Sequence, residues 1–247
     1  MSTPLLSIII PAYNEEHRLP GTLQAIHDFL AGQSYSAEVL VVENGSTDAT
    51  LAVAQTYAAH LPYLRVFHEE IRGKGWAVRR GMLAAVGAYR FICDADLSMP
   101  ITEVNRFLPP QLPPEVDIAI ASREAPGARR YGEPEYRHLA GRVFNWMVRL
   151  LALPGLQDTQ CGFKMFRAPV AEDLFRYQTI TGWTFDVEVL FIACRRGYKI
   201  VEIPIPWYFN PESKVRLWRD ARQMFWDLLT IRRNARRGVY DAPPPSA

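Results

Sequence analysis

Cysteine and net charge are both scarce in this chain of 247 residues. The three cysteines, Cys93, Cys161 and Cys194, are odd in number and lack the spacing of metal ligands. We therefore expect buried free thiols in a reducing compartment rather than a disulfide framework. The formal net charge is only +2, from 28 basic and 26 acidic residues. This balance argues against a dedicated nucleic-acid-binding protein, so no nucleic-acid partner is expected.

Long apolar runs are also missing. The longest stretch without Asp, Glu, Lys or Arg extends from Ala49 to Leu64 and contains Gln55, His60 and Pro62. It falls short of the roughly 20 apolar residues that a membrane span needs. The amino terminus has no basic region before its apolar run, so a signal peptide is not expected either. The hydrophobic content of 49% nevertheless predicts a sizeable core.

The first half of the chain alternates strand-like and helix-like segments. Its apolar runs are continuous rather than alternating, which favours a parallel sheet covered on both faces. These predicted strands are 5–10, 38–43, 63–67, 89–94 and 116–122. The predicted helices between them are 15–31, 46–60 and 74–88. Ser46 or Thr47 is the expected cap of the second helix. This order predicts an α/β fold with a Rossmann-like, doubly wound, mostly parallel sheet.

The second half of the chain has a looser pattern. Residues 123–138 are rich in Pro, Gly and Arg and predict a loop. Pro204 and Pro206 interrupt a strand expected over 199–209. Three helices are expected, at 137–151, 182–197 and about 216–234. We assign the chain to two parts, an α/β domain over 1–212 and a C-terminal amphipathic helix with its tail over 213–247.

Polar residues follow the ends of the predicted strands. They are Asn14, Glu43, Asn44, Asp94, Asp96 and Arg123. Ligands of doubly wound sheets bind beyond the carboxyl ends of the strands, so these side chains are expected along one edge. Mg²⁺ and Mn²⁺ prefer carboxylate oxygens and are often shared with substrate phosphates. Asp94 and Asp96 point to opposite sides of an ideal strand and reach one ion only where the strand turns, which 97–100 permits. An ordinary polar strand exit is the alternative.

The glycine-rich segment at 72–81 contains neither of the phosphate-binding motifs that it suggests. It lacks the G-x-x-x-x-G-K-[ST] spacing, and Val78 stands where a dinucleotide fingerprint needs its third glycine. Lys74 is still expected to contact an anion at the same edge of the sheet.

The order of four segments resembles family 2 of the inverting nucleotide-sugar glycosyltransferases, which have the GT-A fold. These segments are PAYNEE (11–16), VVENGSTDAT (41–50), GKG (73–75) and DADLSMP (94–100). Three later segments, at 158–166, 182–191 and 212–232, resemble the dolichyl-phosphate glucosyltransferase branch. That branch moves glucose from UDP-glucose to a polyprenyl phosphate. Dolichyl-phosphate mannosyltransferases, which use GDP-mannose, share the plan but usually differ around 158–164. Glu43 and Asn44 depart from the two aspartates of many relatives.

The resemblance implies a role for each candidate residue. Asp94 and Asp96 would hold Mg²⁺ or Mn²⁺ against the diphosphate of the donor. The nucleotide pocket would be lined by Pro11, Ala12, Asn14, Glu16, Glu43, Asn44 and Lys74. Gln160 and Asp186 would lie near the sugar and the acceptor, and Lys214 would close over the diphosphate. Glu188 does not share a helical face with Asp186 and is expected to be structural.

The acceptor implied by this resemblance needs positioning more than activation. A phosphate monoester is largely dianionic at pH 7 and attacks without a dedicated general base. Arg123, Arg129 and Arg130 are expected to hold it, since arginine pairs with phosphate in bidentate fashion. Solvated loop charge is the alternative for all three arginines, including Arg123, which directly follows a predicted strand.

The last helix predicts contact with an anionic membrane surface. Its apolar arc comprises Leu217, Ala221, Met224, Phe225, Leu228, Leu229 and Ile231, and Trp226 lies among arginines on the other face. A helix packed on the core with a basic rim is the alternative. We therefore expect a cytoplasmic enzyme attached peripherally to the cytoplasmic face of a membrane. The rival functions are a glycoside hydrolase, which uses paired carboxylates without a metal, and a nucleotide-sugar transferase with a non-lipid acceptor.

Overall fold

A computed structural model describes residues 3–211 and 217–241, without the side chains of residues 217–221. Lys214 therefore lies outside the described residues. The strands are β1 (Leu6–Ala12), β2 (Ala37–Asn44), β3 (Leu64–Glu69), β4 (Tyr89–Ile92), β5 (Ile118–Ser122), β6 (Arg129–Tyr131), β7 (Lys164–Arg167), β8 (Ile200–Pro204) and β9 (Pro206–Tyr208). The helices are α1 (Leu19–Ala31), α2 (Thr50–Ala58), α3 (Lys74–Ala84), α4 (Glu135–Leu151), α5 (Ala168–Arg176), α6 (Phe185–Arg195) and α7 (Leu217–Arg236), with a 3₁₀ helix at Ile101–Phe107.

Seven strands form one sheet in the order β3-β2-β1-β4-β7-β5-β8. Strands β1 to β4 are mutually parallel, and β5 is parallel to β8. The predicted doubly wound, mostly parallel sheet is thus confirmed. The sequence did not predict β7, which is antiparallel to both β4 and β5. This strand has only four residues and begins with a lysine, so it lacks the apolar run that identified the others.

Successive residues of the central strands pack on opposite faces of the sheet. Ile8 and Ile10 belong to one buried cluster, and Ile9 belongs to the other. Each cluster is closed by helices, as the continuous apolar runs predicted. The expected burial of all three thiols is wrong at one position, because Cys194 is exposed near the end of α6, whereas Cys93 and Cys161 are buried.

The expected cap of α2 is also wrong, because the helix begins at Thr50 rather than after Ser46 or Thr47. The Ser46 hydroxyl instead accepts a hydrogen bond from the Asn14 amide (3.0 Å), and the Thr47 amide donates to Asn14 Oδ1 (2.8 Å). The loop after β1 therefore binds the Ser46 hydroxyl and the Thr47 backbone amide, and α2 begins three residues after Thr47.

A second, two-stranded parallel sheet pairs β6 with β9. Arg129 and Arg130, expected on a loop, therefore lie on a short strand. The expected strand over 199–209 divides into β8 in the main sheet and β9 in the small one. The division falls at Ile205, between the two prolines, neither of which has an amide hydrogen to donate to a ladder.

Helix α7 uses its apolar residues in two ways. Met224, Leu228 and Ile231 are buried in the core, whereas Phe225 and Leu229 are each 38% exposed. The described part of the single apolar arc predicted for this helix is therefore divided between the core and the surface, and the side chains of Leu217 and Ala221 lie outside the described residues. Within residues 3–211 and 217–241, no helix combines the length and the apolar character that a membrane span requires.

Candidate functional site

The carboxyl ends of β1, β2, β4 and β5 bring the predicted site residues to one edge of the sheet. Glu43 and Asn44 end β2, and Asp94 and Arg123 follow β4 and β5 within two residues. Pro11 and Ala12 end β1, directly beside β2. This edge is the one that the sequence predicted.

The loops after β1 and β2 are held together by hydrogen bonds. Asn14 adopts a left-handed backbone (φ 52°), a conformation that asparagine tolerates better than most residues. The Glu16 carboxylate accepts a hydrogen bond from the Ala49 amide (2.8 Å), and the Glu16 amide donates to Asp48 (3.2 Å). Asn14 and Glu16 therefore join the loop after β1 to the loop after β2.

Glu43 is buried and its carboxylate is used within the protein. One oxygen accepts a hydrogen bond from the Ser46 amide, and the other lies 2.5 Å from His68 Nδ1. Its neighbour Asn44 is also buried. The observed contacts of Glu43 thus shape the β2–α2 loop.

Asp94 and Asp96 lie on the turn that follows β4. Leu97 has a left-handed backbone (φ 44°), and the Ser98 amide donates to Asp96 Oδ1 (3.0 Å). Because the chain turns here, the carboxylates of Asp94 and Asp96 can face the same region rather than opposite sides of a strand. Burial and the adjacent Asp94 carboxylate raise the pKa of Asp96. A cation placed between them would relieve this repulsion.

Lys74 supplies one positive charge at this edge. Its Nζ lies 2.6 Å from Asp94 Oδ1 and 5.4 Å from the centre of the Trp183 ring. Burial opposes the ammonium charge, but the carboxylates of Asp94 and Asp186 outweigh it and raise the pKa of Lys74. The lysine therefore stays charged beside the acidic pair.

Gly162 allows Asp94 to occupy its position. A Cβ atom at Gly162 would lie 1.9 Å from Asp94 Oδ2, far closer than non-bonded atoms approach. The sequence motif 158–166 contains this glycine, but nothing in the pattern showed that it contacts the acidic pair.

Asp186 forms a buried ion pair with Lys164. The two groups are 2.9 Å apart, and both side chains are almost fully inaccessible to solvent. Lys164 Nζ also donates to the carbonyl oxygen of Cys161. Burial raises the pKa of Asp186 even though two ammonium groups, those of Lys164 and Lys74, oppose the shift. The sequence predicted Asp186 as a site residue but gave no signal for Lys164, which holds the Asp186 carboxylate.

Glu188, two residues further along α6, is buried and serves the structure. Its carboxylate accepts hydrogen bonds from the amides of Thr179 (2.9 Å) and Ile180 (2.7 Å) and from the Tyr240 hydroxyl (2.8 Å). It thereby ties the start of α6 to the chain after α7, in agreement with the structural role expected for it.

A second cluster of charged residues surrounds Arg123. The Arg123 guanidinium contacts Asp158 in bidentate fashion, with Nε–Oδ2 at 2.7 Å and Nη2–Oδ1 at 2.9 Å. Arg130 lies 2.5 Å from carboxylate oxygens of both Glu124 and Glu133. All five of these residues line a cavity of about 60 Å³ that also contacts Gln160. Arg129, by contrast, is exposed.

Trp207 lies beside both cavity arginines. The guanidinium carbons of Arg123 and Arg130 are 5.5 and 5.8 Å from its ring. Because β6 pairs Arg130 with Trp207 on β9, the small parallel sheet sets this arrangement. Cation–π contacts at these distances favour a fixed guanidinium orientation.

The pair of Arg123 and Asp158 predicts an acid-sensitive contribution to stability. Burial alone would raise the pKa of Asp158, but Arg123 lowers it from 3.8 to about 2. The folded protein therefore binds fewer protons than the unfolded chain between these values. The resulting stabilisation, roughly 2 kcal/mol, is complete above about pH 4 and is lost as the pH falls towards 2. Urea unfolding at pH 5 and pH 3 should show a loss of about half of this contribution, roughly 1 kcal/mol.

Asp158→Asn is expected to be less stable at pH 5 and to lose less stability on acidification. Asp28→Asn, on the exposed face of α1, serves as the control and should keep the wild-type acid slope. An unchanged slope in Asp158→Asn would contradict the assignment.

Comparison with known proteins identifies the family. The profile of Glycosyl transferase family 2 matches residues 7–175, which contain the acidic pair and both loops after β1 and β2. The chain is a family 2 glycosyltransferase. Among curated relatives, a dolichyl-phosphate beta-glucosyltransferase from Drosophila melanogaster is 36% identical over 244 residues, which cover 92% of this chain and 74% of the relative. A human protein of the same name is 33% identical over 257 residues, which cover 96% and 78%.

Solved structures support the fold of this glycosyltransferase. Glucosyl-3-phosphoglycerate synthase from Mycobacterium tuberculosis, in complex with Mn²⁺, UDP-glucose and phosphoglyceric acid, superposes with a TM-score of 0.65. The match has 18% identity and covers 92% of this chain and 79% of the other. At this identity the likeness establishes the fold alone.

The acidic pair of the glycosyltransferase fits a metal site whose coordination is completed by substrate phosphates, rather than one formed by protein ligands alone. No group of three or more His, Cys, Asp or Glu residues is arranged to hold a metal ion in the part of the chain that the structure describes. Two carboxylates are nevertheless what Mg²⁺ commonly takes from a protein when phosphates complete its shell. The oxygen-only donors and the raised pKa of Asp96 both fit a divalent cation.

Proposed function

We propose that this glycosyltransferase moves glucose from UDP-glucose to a polyprenyl phosphate with inversion, giving a polyprenyl-phosphate β-glucose. The observation that carries the proposal is the placement of the segment 158–164. Asp158 holds the cavity arginine Arg123, Gly162 contacts Asp94, and Lys164 holds Asp186. One short segment thus contacts Asp94 of the acidic pair, a second buried carboxylate and the cavity that Arg123 and Arg130 line. The names of the curated relatives support the same donor sugar and acceptor class.

The cation-binding pair is proposed to hold Mg²⁺ or Mn²⁺. Asp94 and Asp96 would bind the ion, and Lys74 would stay beside Asp94 as a second cation for the diphosphate. When bound, the metal neutralises charge that develops on the departing nucleoside diphosphate. The nucleotide pocket is proposed to be lined by Pro11, Ala12, Asn14, Glu16, Glu43 and Asn44, and the predicted contact of Lys214 lies outside the described residues.

Gly162→Ala tests the geometry of the acidic pair. The added methyl group occupies the position of the Asp94 carboxylate, so we expect Mn²⁺ affinity to fall by roughly tenfold or more. Calorimetric titration of Mn²⁺ in the presence of UDP measures this. Gly155→Ala is the matched control, since a Cβ there meets nothing within 4 Å. Equal Mn²⁺ affinity in the two variants would contradict the proposed role.

The cavity is proposed to bind the acceptor phosphate. Arg123 and Arg130 present guanidinium groups there, and Gln160 adds a neutral polar side chain. Arg130 would exchange its contacts with Glu124 and Glu133 for the phosphate. Such a phosphate is mostly a dianion at pH 7, so the buried Asp186 is not required as its base. Asp186, oriented by Lys164, is instead proposed to contact the sugar hydroxyls.

Titration of UDP-glucose and GDP-mannose, each with Mn²⁺ and with EDTA, tests the donor. We expect metal-dependent binding of UDP-glucose and release of UDP when a polyprenyl phosphate is added. Preference for GDP-mannose would keep the metal site and the acceptor but replace the sugar. Transfer to a water-soluble phosphate ester, with none to a polyprenyl phosphate, would establish a non-lipid acceptor. Metal-independent release of a free sugar would indicate a hydrolase.

A polyprenyl acceptor requires the enzyme to work at a membrane surface. We propose peripheral attachment to the cytoplasmic face of a membrane, where a nucleotide sugar is available. The exposed arginines of α7, Arg222, Arg232, Arg233 and Arg236, support attraction to anionic lipid. Flotation with vesicles tests this attachment.

A further inference from the structure

Helix α4 carries five exposed apolar side chains on a single face. Tyr136, Leu139, Val143, Trp146 and Leu150, here called the α4 stripe, are between 53% and 67% exposed. At about 100° per residue, these five positions fall within an arc of roughly 80°. Isolated surface apolar residues are ordinary, but a continuous row of this kind marks an interaction surface.

The opposite face of the same helix forms part of the proposed acceptor site. Gly141, Phe144 and Asn145 line the cavity that holds Arg123 and Arg130. Because an α-helix with its side chains is roughly 10 Å thick, about one helix diameter separates the cavity from whatever covers the stripe.

The charges around the stripe indicate which partner covers it. Arg142 and Arg149 are exposed on α4, whose only acidic residue is Glu135. A second α4 packed on this face would place the arginines of both copies at one interface, where α4 supplies only Glu135 as an acidic partner. An anionic surface would instead attract them. Tyr and Trp, both present in the stripe, are the aromatic residues enriched where lipid tails meet headgroups.

We propose that the α4 stripe lies on the surface of an anionic lipid bilayer and is the principal membrane contact of this protein. Helix α7 packs against α4 and adds Phe225, Trp226 and Leu229 as exposed apolar side chains. An interfacial helix sinks about 5–10 Å into the boundary between headgroups and acyl chains. The arginine cavity behind α4 then lies at headgroup height. This last consequence rests on the proposed function: a polyprenyl phosphate enters the cavity without its chain leaving the membrane.

Val143→Asp and Val86→Asp provide a matched test, since both valines are 53% exposed and only Val143 lies in the stripe. The full chain is sedimented with vesicles of phosphatidylcholine containing roughly 30% phosphatidylserine. We expect Val143→Asp to weaken binding by about tenfold or more and Val86→Asp to stay within about twofold of wild type. Thermal unfolding should be unchanged in both, because both sites are exposed.

Equal vesicle binding by the two variants, or none by the wild type, would overturn the proposal. The absence of vesicle binding together with a wild-type dimer that Val143→Asp dissociates would assign the stripe to a second copy of the chain.

Turnover separates this inference from the proposed function. Val143→Asp should glucosylate a short, water-soluble polyprenyl phosphate at the wild-type rate and lose activity only on acceptor embedded in vesicles. If the wild type used no polyprenyl phosphate, the proposed function would fail, and the vesicle measurement would still decide the stripe. If Val143→Asp lost activity equally on both acceptors, the stripe would not act through the membrane.

Discussion

Asp96→Ala is expected to lower glucosyl transfer by about 1,000-fold or more, the largest effect on activity that the structure predicts. The variant removes one of the two carboxylates that follow β4, so the remaining Asp94 would hold the metal and donor diphosphate alone. A loss of this size corresponds to roughly 4 kcal/mol of transition-state stabilisation, the order that metal-ion catalysis supplies. Release of UDP from UDP-glucose in the presence of Mn²⁺ and a polyprenyl phosphate measures it.

Calorimetry distinguishes a lost metal site from a misfolded protein. Asp96→Ala should no longer show Mn²⁺-dependent binding of UDP-glucose, whereas its melting temperature should stay the same or rise, because burial beside Asp94 makes the Asp96 charge unfavourable. Asp28→Asn, on the exposed part of α1, should match wild type in both assays. Near-normal turnover of Asp96→Ala with Mn²⁺ present would refute the proposed metal site.

Lys164→Met is expected to destabilise the fold by about 3–5 kcal/mol, because it leaves the buried Asp186 carboxylate without its partner. For a chain of this length, the melting temperature should fall by about 10 °C. Lys199→Met is the control: its pair with Glu115 is equally well formed, at 3.0 Å, but more than half of each side chain is exposed. Screening by water makes such pairs weak, so this control should melt close to wild type.

The double variant Lys164→Met/Asp186→Leu separates the structural role of the pair from its role in the reaction. Replacing both charges with apolar side chains removes the unpaired buried carboxylate, so most of the lost stability should return. Activity should remain low, because the proposed contact of Asp186 with the sugar is gone. Recovery of activity together with stability would show that the pair serves only the fold.

Much of the fold was predictable because it depends on local patterns. Continuous apolar runs identified the first five strands, and the rule that ligands bind beyond strand ends placed Asp94, Asp96 and Arg123 at one edge. The turn at 97–100 was also predictable from its sequence. These features follow from the apolar runs that form buried strands and from the polar residues that end them. In each case the residues that carry the signal lie within a few positions of one another in the sequence.

Other features depend on contacts between residues distant in sequence. Strand β7 is recognisable only between β4 and β5, where its buried Lys164 meets Asp186, and Gly162 matters only because Asp94 lies against it. The Ser46 hydroxyl, which was expected to cap α2, instead accepts a hydrogen bond from the backbone amide of Asn14.

The sequence by itself determined the alternation of strands and helices, the acidic turn and the family resemblance. The tertiary structure alone decided which amphipathic faces are free. Part of the apolar arc of α7 is buried in the core. Helix α4, which was expected only as a helix, has all five side chains of the α4 stripe exposed at the surface. Hydrophobic periodicity shows that a helix has an apolar face, but burial depends on which other elements occupy the space beside it.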